Sequence, residues 1–176
     1  KKSTTLKFVK EQTEKICIAA VKQNGLALEF VKKQTEKICI EAVKNYGNSL
    51  IYVKEQTHDI CMQAVKQRGL ALKYVKKQTE AICLAAVNNN GLAIQYVIVK
   101  FQTPIIYKSA VIQNCYSLRY INKQSETLCL YAIKQNPMCL KYIKRQTNQI
   151  CLIAIKRCSE VIQFIKNQTP EICLEA

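Results

Sequence analysis

The pair Gln-Thr recurs along this chain at a fixed interval, and that interval restricts the folds open to it. It falls at Gln12-Thr13, Gln34-Thr35, Gln56-Thr57, Gln78-Thr79, Gln102-Thr103, Gln146-Thr147 and Gln168-Thr169, with Gln124-Ser125 completing the series. Successive marks lie 22 residues apart except between Gln78 and Gln102, where the spacing is 24. A period of this length marks a stacked-repeat protein, in which each unit buries its apolar face against its neighbours. Residues 1–176 are therefore read as one array, with an irregular repeat over 78–101. The chain opens part-way through a unit and stops inside another, without the polar capping repeat that closes many solenoids. The expectation is a fragment of a longer array.

Numbering each unit from its Gln as position 1 turns the repeat into chemistry. Thr at position 2 is a good helix N-cap, because its hydroxyl accepts from a free N–H of the first turn. Acidic residues such as Glu14, Glu36, Glu80 and Glu126 follow, where the helix dipole favours them. Pro104 and Pro170 stand directly after the Thr, where proline costs nothing. Apolar residues at positions 5, 6, 9 and 10 then define one face of a helix of about ten residues. Position 9 is Ala in every copy, which suggests close approach of a neighbouring helix. Gly25, Gly47, Gly69 and Gly91 at position 14 fit a left-handed helix terminus. Cys115, Pro137 and Ser159 replace them later. A second helix of roughly eight residues follows, with Phe or Tyr at position 19. The fold expected is an all-α solenoid of helix-turn-helix units with about sixteen short helices, each too short to stand alone in water.

The Gln itself (Gln12, Gln34, Gln56, Gln78, Gln102, Gln124, Gln146, Gln168) is an unusual choice for a surface turn. Its amide is expected to bond backbone groups as a ladder between repeats; the alternative is a solvent-exposed helix end. The irregular copy carries two extra residues within Ile94–Phe101, and the following copy has Tyr107 where others have Cys. A kink and an exposed apolar patch are expected there, against the plainer reading of a slightly longer helix.

Seven of the ten cysteines fall at position 6: Cys17, Cys39, Cys61, Cys83, Cys129, Cys151 and Cys173. Stacked helices lie about 8–10 Å apart, and a disulfide needs Cα atoms within about 7 Å. Position 6 is on the apolar face, so these read as small buried hydrophobes. Cys115, Cys139 and Cys158 lie near the turns without metal-ligand spacing. Ten unpaired thiols predict a reducing, intracellular setting, host cytoplasm or virion. No metal site and no cofactor are expected. His58 is the only histidine, and no nucleophile–base pair or phosphate-binding loop accompanies it, so no catalytic residue is assigned. No run of 18 apolar residues is present, so no membrane span is expected.

The net charge of +15 is unevenly spread. Outward positions of the first helix balance cations with anions. Positions 18, 21 and 22 of the second helix do not. They hold Lys32, Lys33, Lys54, Lys73, Lys76, Lys77, Arg119, Lys123, Lys141, Lys144, Arg145 and Lys166, along with Lys7, Lys10 and Lys100, against only Glu11, Glu29 and Glu55. A basic ridge should run along one side of the array. It fits a phosphate-binding track, and it equally fits solubility and helix-dipole matching. Position 8 varies freely, as a recognition surface would: Glu41, Gln63, Ser109, Tyr131 and Ile153 are the candidates.

The segment Gln168 to Ala176 (Q-T-P-E-I-C-L-E-A), with Ala20 to Leu28 (A-V-K-Q-N-G-L-A-L), resembles a short helical repeat of unknown function abundant in proteins of amoebal giant viruses. The resemblance covers nearly the whole chain. It implies an α-solenoid and a viral protein made in a host cell, and it brings no activity or functional residues. The copies from Gln102 to Asn167 depart from it at the glycine. The expected function is a non-enzymatic scaffold for a protein partner. The alternatives are nucleic-acid binding along the lysine ridge and self-association into a structural assembly.

Overall fold

A computed structural model describes residues 3–176. Eight α-helices alternate with 3₁₀ helices, and no strand forms among the described residues. The α-helices are α1 (Glu14–Gln23), α2 (Glu36–Asn45), α3 (His58–Gln67), α4 (Glu80–Asn89), α5 (Pro104–Gln113), α6 (Glu126–Gln135), α7 (Asn148–Arg157) and α8 (Pro170–Glu175). Each Gln opens a unit, so α1 belongs to unit 1 and α8 to unit 8. Consecutive α-helices pack side by side, as do consecutive 3₁₀ helices, which makes a two-layered solenoid.

Each α-helix begins where a hydroxyl caps it. Thr57 Oγ1 accepts from the Ile60 N–H at 3.3 Å, and Ser125 does the same for Leu128 at 3.2 Å. α1 to α7 each end at an extended residue whose N–H still reaches the position 9 alanine, as Asn90 does to the Ala86 carbonyl at 2.9 Å.

The second helix is not α-helical. It is a six-residue 3₁₀ helix in seven of the units, for example Gly69–Tyr74. The three-residue period explains this. Positions 14, 17 and 20 eclipse one another in a 3₁₀ helix, and in unit 3 they are Gly69, Leu72 and Val75, all buried. Positions 18 and 21 fall on the opposite, exposed row, which places the lysines of the ridge outside. Asn24, Asn90, Asn114 and Asn136 start this helix by accepting at Oδ1 from the N–H two residues on, at 2.9–3.0 Å.

The glycines contradict the left-handed terminus expected for them, since no residue in the described chain has a positive φ. They are needed for closeness. A Cβ on Gly69 would stand 2.3 Å from the Ala86 carbonyl oxygen of the next unit, and one on Gly25 would stand 2.4 Å from that of Ala42. Glycine at position 14 and alanine at position 9 therefore act together. They let each 3₁₀ helix press against the α-helix that follows. Where Cys115, Pro137 and Ser159 replace glycine, the neighbouring α-helices meet over a smaller contact, least of all between α5 and α6.

Candidate binding cleft between the fifth and sixth units

The regular junctions are closed by polar rungs. Gln56 is typical. Its Nε2 donates to the Leu50 carbonyl at 3.3 Å and the Tyr74 carbonyl at 2.9 Å, and its Oε1 accepts from the Lys76 N–H at 2.9 Å. The carboxamide thus ties two successive 3₁₀ helices to each other. Gln12, Gln34, Gln78, Gln124 and Gln146 make the same pair of bonds, to the carbonyl at position 19 and the N–H at position 21. The position 6 thiol below also points at this oxygen, with Cys83 Sγ 3.3 Å from Gln78 Oε1.

Two further rungs run between units. Thr35, Thr57 and Thr147 donate their hydroxyls to Glu14, Glu36 and Glu126 of the preceding unit at 2.7–3.0 Å. Gly25, Gly47, Gly69 and Gly91 donate their N–H to the position 12 amide oxygen of the following unit (Asn45, Gln67, Asn89, Gln113) at 2.5–2.7 Å.

Around units 4–6 these rungs are interrupted: Gln102 loses its tie to the 3₁₀ helix of its own unit, and where units 5 and 6 meet the hydroxyl and glycine rungs are missing while Gln124 still bonds the Leu118 and Tyr142 carbonyls. The insertion adds a short 3₁₀ turn, Val99–Phe101, directly before Gln102. Gln102 is displaced by it. Its Nε2 donates to the Val97 carbonyl at 2.9 Å, and its Oε1 accepts from the Tyr107 hydroxyl at 3.2 Å. No bond joins it to Tyr120 or Asn122, the positions 19 and 21 of its own unit. Pro104 replaces the glutamate that would receive the next hydroxyl, and Ser125 turns to Thr127 instead. Cys115 replaces the glycine.

The result is a cleft of about 890 Å³. Crevices at the same end of regular junctions measure about 410, 330 and 260 Å³. Its apolar wall is Pro104, Tyr107, Leu128 and Tyr131, and Gln102, Gln124, Ser125 and Thr127 line the rest. Lys108 and Lys123 are its charged residues, and no carboxylate lines it. The regular crevices each include a glutamate. Around the insertion Val99 is 83% exposed and Ile105 63%, an apolar patch on the outer surface.

Of the variable position 8 residues, Tyr131 lines this cleft. Glu41 pairs with Lys22 at 3.4 Å and with Lys44 at 3.8 Å. Gln63, Ser109 and Ile153 are half-buried along the same row.

The ridge residues Lys33, Lys77, Lys123 and Arg145 are exposed near the junctions. Lys32, Lys54, Lys76 and Lys166 are engaged: each ammonium donates to the position 21 carbonyl of the preceding unit at 3.1–3.3 Å. Lys144 donates to Asn122 Oδ1 at 2.7 Å. Lys73, Arg119 and Lys141 lie over the rings of Tyr74, Tyr120 and Tyr142, and those rings pack against the core.

Cys17, Cys39, Cys61, Cys83, Cys129 and Cys151 are buried. Burial, aided by the neighbouring glutamate, pushes the Cys39, Cys83 and Cys129 thiols up to about 11. Cys173 is exposed, because no described unit follows α8 to cover it.

The expectation of ten unpaired thiols is corrected at one place. Cys115 and Cys139 are disulfide-bonded, with Cα atoms 6.4 Å apart. The pairing follows from the stack. Position 14 of one unit faces position 16 of the next, as the approach of Gly25 to Ser49 shows. A cysteine at position 14 in unit 5 and another at position 16 in unit 6 therefore meet. The sequence signal was a separation of one period plus two, 24 residues. The bond ties units 5 and 6 at the C-terminal end of α5, while the cleft opens at its N-terminal end. No helix is long and apolar enough to cross a membrane, and no metal-binding group occurs among the described residues.

The model of the domain of unknown function (DUF4116) matches residues 13–57, 35–79, 57–102 and 125–169 in tandem. These matches cover most of the chain, which belongs to that family. They pass over residues 103–124, the unit that forms one wall of the cleft. No curated protein and no solved structure matches.

Proposed function

We propose that this member of the repeat family is a non-enzymatic scaffold that binds a protein partner, and that the partner enters between units 5 and 6. The observation that carries this reading is the coincidence, between units 5 and 6, of a replaced glycine, a missing hydroxyl rung, a glutamine drawn off its usual partners and an exposed apolar wall. A cleft of about 890 Å³ falls in the usual range for ligand-receiving concavities, about 300–1,000 Å³. Tyr131 and Tyr107 in its wall are of the residue type that most often anchors a protein interface. The resemblance to repeats of amoebal giant viruses supports a viral setting. The eight free thiols favour the interior of a host cell or particle.

Selection from a displayed library of random peptides tests the reading, with hydrogen exchange to locate what is selected. Ligands that protect α5 and α6, and that lose binding on Tyr131→Ala, support it. A selection that yields no ligand, or ligands that protect other units, overturns it.

Nucleic-acid binding remains the alternative, favoured by the regular one-per-unit row of Lys32, Lys54 and Lys76. Their engagement with backbone carbonyls weakens it. Titration of labelled DNA and RNA at several salt concentrations decides: tight binding that weakens steeply with salt and is lost on changing Lys73, Lys76 and Lys77 to Glu supports that alternative. Light scattering separates the third reading, self-association, from both.

A further inference from the structure

Resting on that reading, we infer that the cleft takes a short acidic peptide segment whose backbone supplies the amide bonds that Gln102 fails to make. In six other units one carboxamide spans a fixed pair of backbone groups, the position 19 carbonyl and the position 21 N–H. In unit 5 these groups are the Tyr120 carbonyl and the Asn122 N–H. No glutamine reaches either one, and the Asn122 N–H has no hydrogen-bond partner. They adjoin Lys123 and Gln124, which line the cleft. An amide that donates to one and accepts from the other restores the rung. A peptide backbone carries such donors and acceptors at every residue.

The remaining chemistry selects the kind of peptide. The wall of Pro104, Tyr107, Leu128 and Tyr131 takes an apolar side chain. Lys108 and Lys123 face the cleft with no carboxylate beside them, so acidic residues flanking the anchor are favoured and basic ones repelled. RNA would satisfy the two lysines, but its phosphates would leave the apolar wall and the Tyr120 carbonyl unmatched. The peptide is the occupant that fits all three features.

The test uses the whole chain, with its disulfide intact, and three labelled probes in fluorescence anisotropy. One is a blocked peptide of phenylalanine and leucine flanked by glutamates. The second replaces the glutamates by lysines, and the third is a single-stranded RNA. The acidic peptide is expected to bind tightest and to weaken with salt. The double variant Lys108→Glu, Lys123→Glu should weaken it about tenfold and improve the basic peptide, consistent with about 0.7 kcal/mol per charge at a partly exposed site. In NMR spectra the Asn122 amide should shift and gain exchange protection when the acidic peptide binds.

Equal binding of the basic peptide, preference for RNA, an unmoved Asn122 amide, or dimerisation through the cleft each overturns the inference. The two readings fail differently. If the random library yields ligands that protect α5 and α6 but are neutral or basic, the acidic-peptide inference falls and the cleft stands. If no ligand protects these helices, both fall.

Discussion

Units 1–4 and units 5–8 share a short α-helix, a hydroxyl N-cap and the same core pattern, yet they are joined differently. In the first half every junction is closed by glycine. Gly25, Gly47, Gly69 and Gly91 allow an approach that a Cβ would prevent, and each donates its N–H to the next unit. In the second half Cys115, Pro137 and Ser159 replace the glycine, the neighbouring α-helices meet over a smaller contact, and the glycine and hydroxyl rungs are missing where units 5 and 6 meet. A single disulfide stands at that junction instead. The missing Cβ therefore sets how closely a 3₁₀ helix presses against the α-helix that follows it.

The largest effect should come from the covalent tie. Replacing both Cys115 and Cys139 by Ser should cost about 2–4 kcal/mol in the second half, the usual worth of a disulfide closing a loop of this length. Urea titration followed by circular dichroism should then show units 6–8 unfolding ahead of units 1–4. An unchanged midpoint would break the comparison.

The glycine effect comes next. Gly69→Ala should cost about 1–3 kcal/mol through overpacking, while Ser159→Ala in the open half should change stability by less than about 0.5 kcal/mol. Equal costs would show that closeness is not what glycine provides.

The glutamines offer a finer contrast. Gln56→Leu leaves the Tyr74 carbonyl and the Lys76 N–H unpaired and should cost about 1–3 kcal/mol. Gln102→Leu, which breaks no bond to the 3₁₀ helix of its own unit, should cost about half as much or less. A Gln56→Leu protein that melts like the parent would remove the ladder from the account.

The smallest effect is a pH dependence. The Cys39 and Cys83 thiols lie near 11 in the folded chain, against an ordinary value of 9.0. Between about pH 9 and pH 11 the unfolded chain releases these protons while the native state keeps them, so stability falls as pH rises through that window. Cys39→Ala with Cys83→Ala should flatten the decline. A slope that persists unchanged assigns it to other groups.

Much of this architecture was legible in the sequence, because a tandem repeat prints its period directly. The Thr cap, the apolar face and the buried thiols all follow from spacing within one unit. Features that depend on facing units were harder to read. Within one unit the glycine reads as a left-handed terminus, because the neighbour that explains it, the Ala carbonyl of the next unit, lies 17 residues further on for Gly25, Gly47 and Gly69. The Cys115–Cys139 bond is hidden for the same reason, since it joins positions 14 and 16 across a junction. The 3₁₀ form of the second helix was hidden by length: over six residues the three-residue period is hard to tell from that of an α-helix. The irregular repeat did announce itself, through two extra residues and Tyr107. The sequence did not show that the insertion would pull Gln102 off its rung.

That lost rung is the most direct test of the account. The Lys32, Lys54, Lys76, Lys144 and Lys166 amides each donate to a glutamine Oε1, whereas the equivalent Asn122 amide has no partner. Amide hydrogen exchange measured residue by residue should find the five lysine amides protected and Asn122 exchanging much faster, near the rate of an unbonded surface amide. Protection of Asn122 equal to that of the lysines would mean that Gln102 holds its unit as the other glutamines hold theirs, and the account would be contradicted.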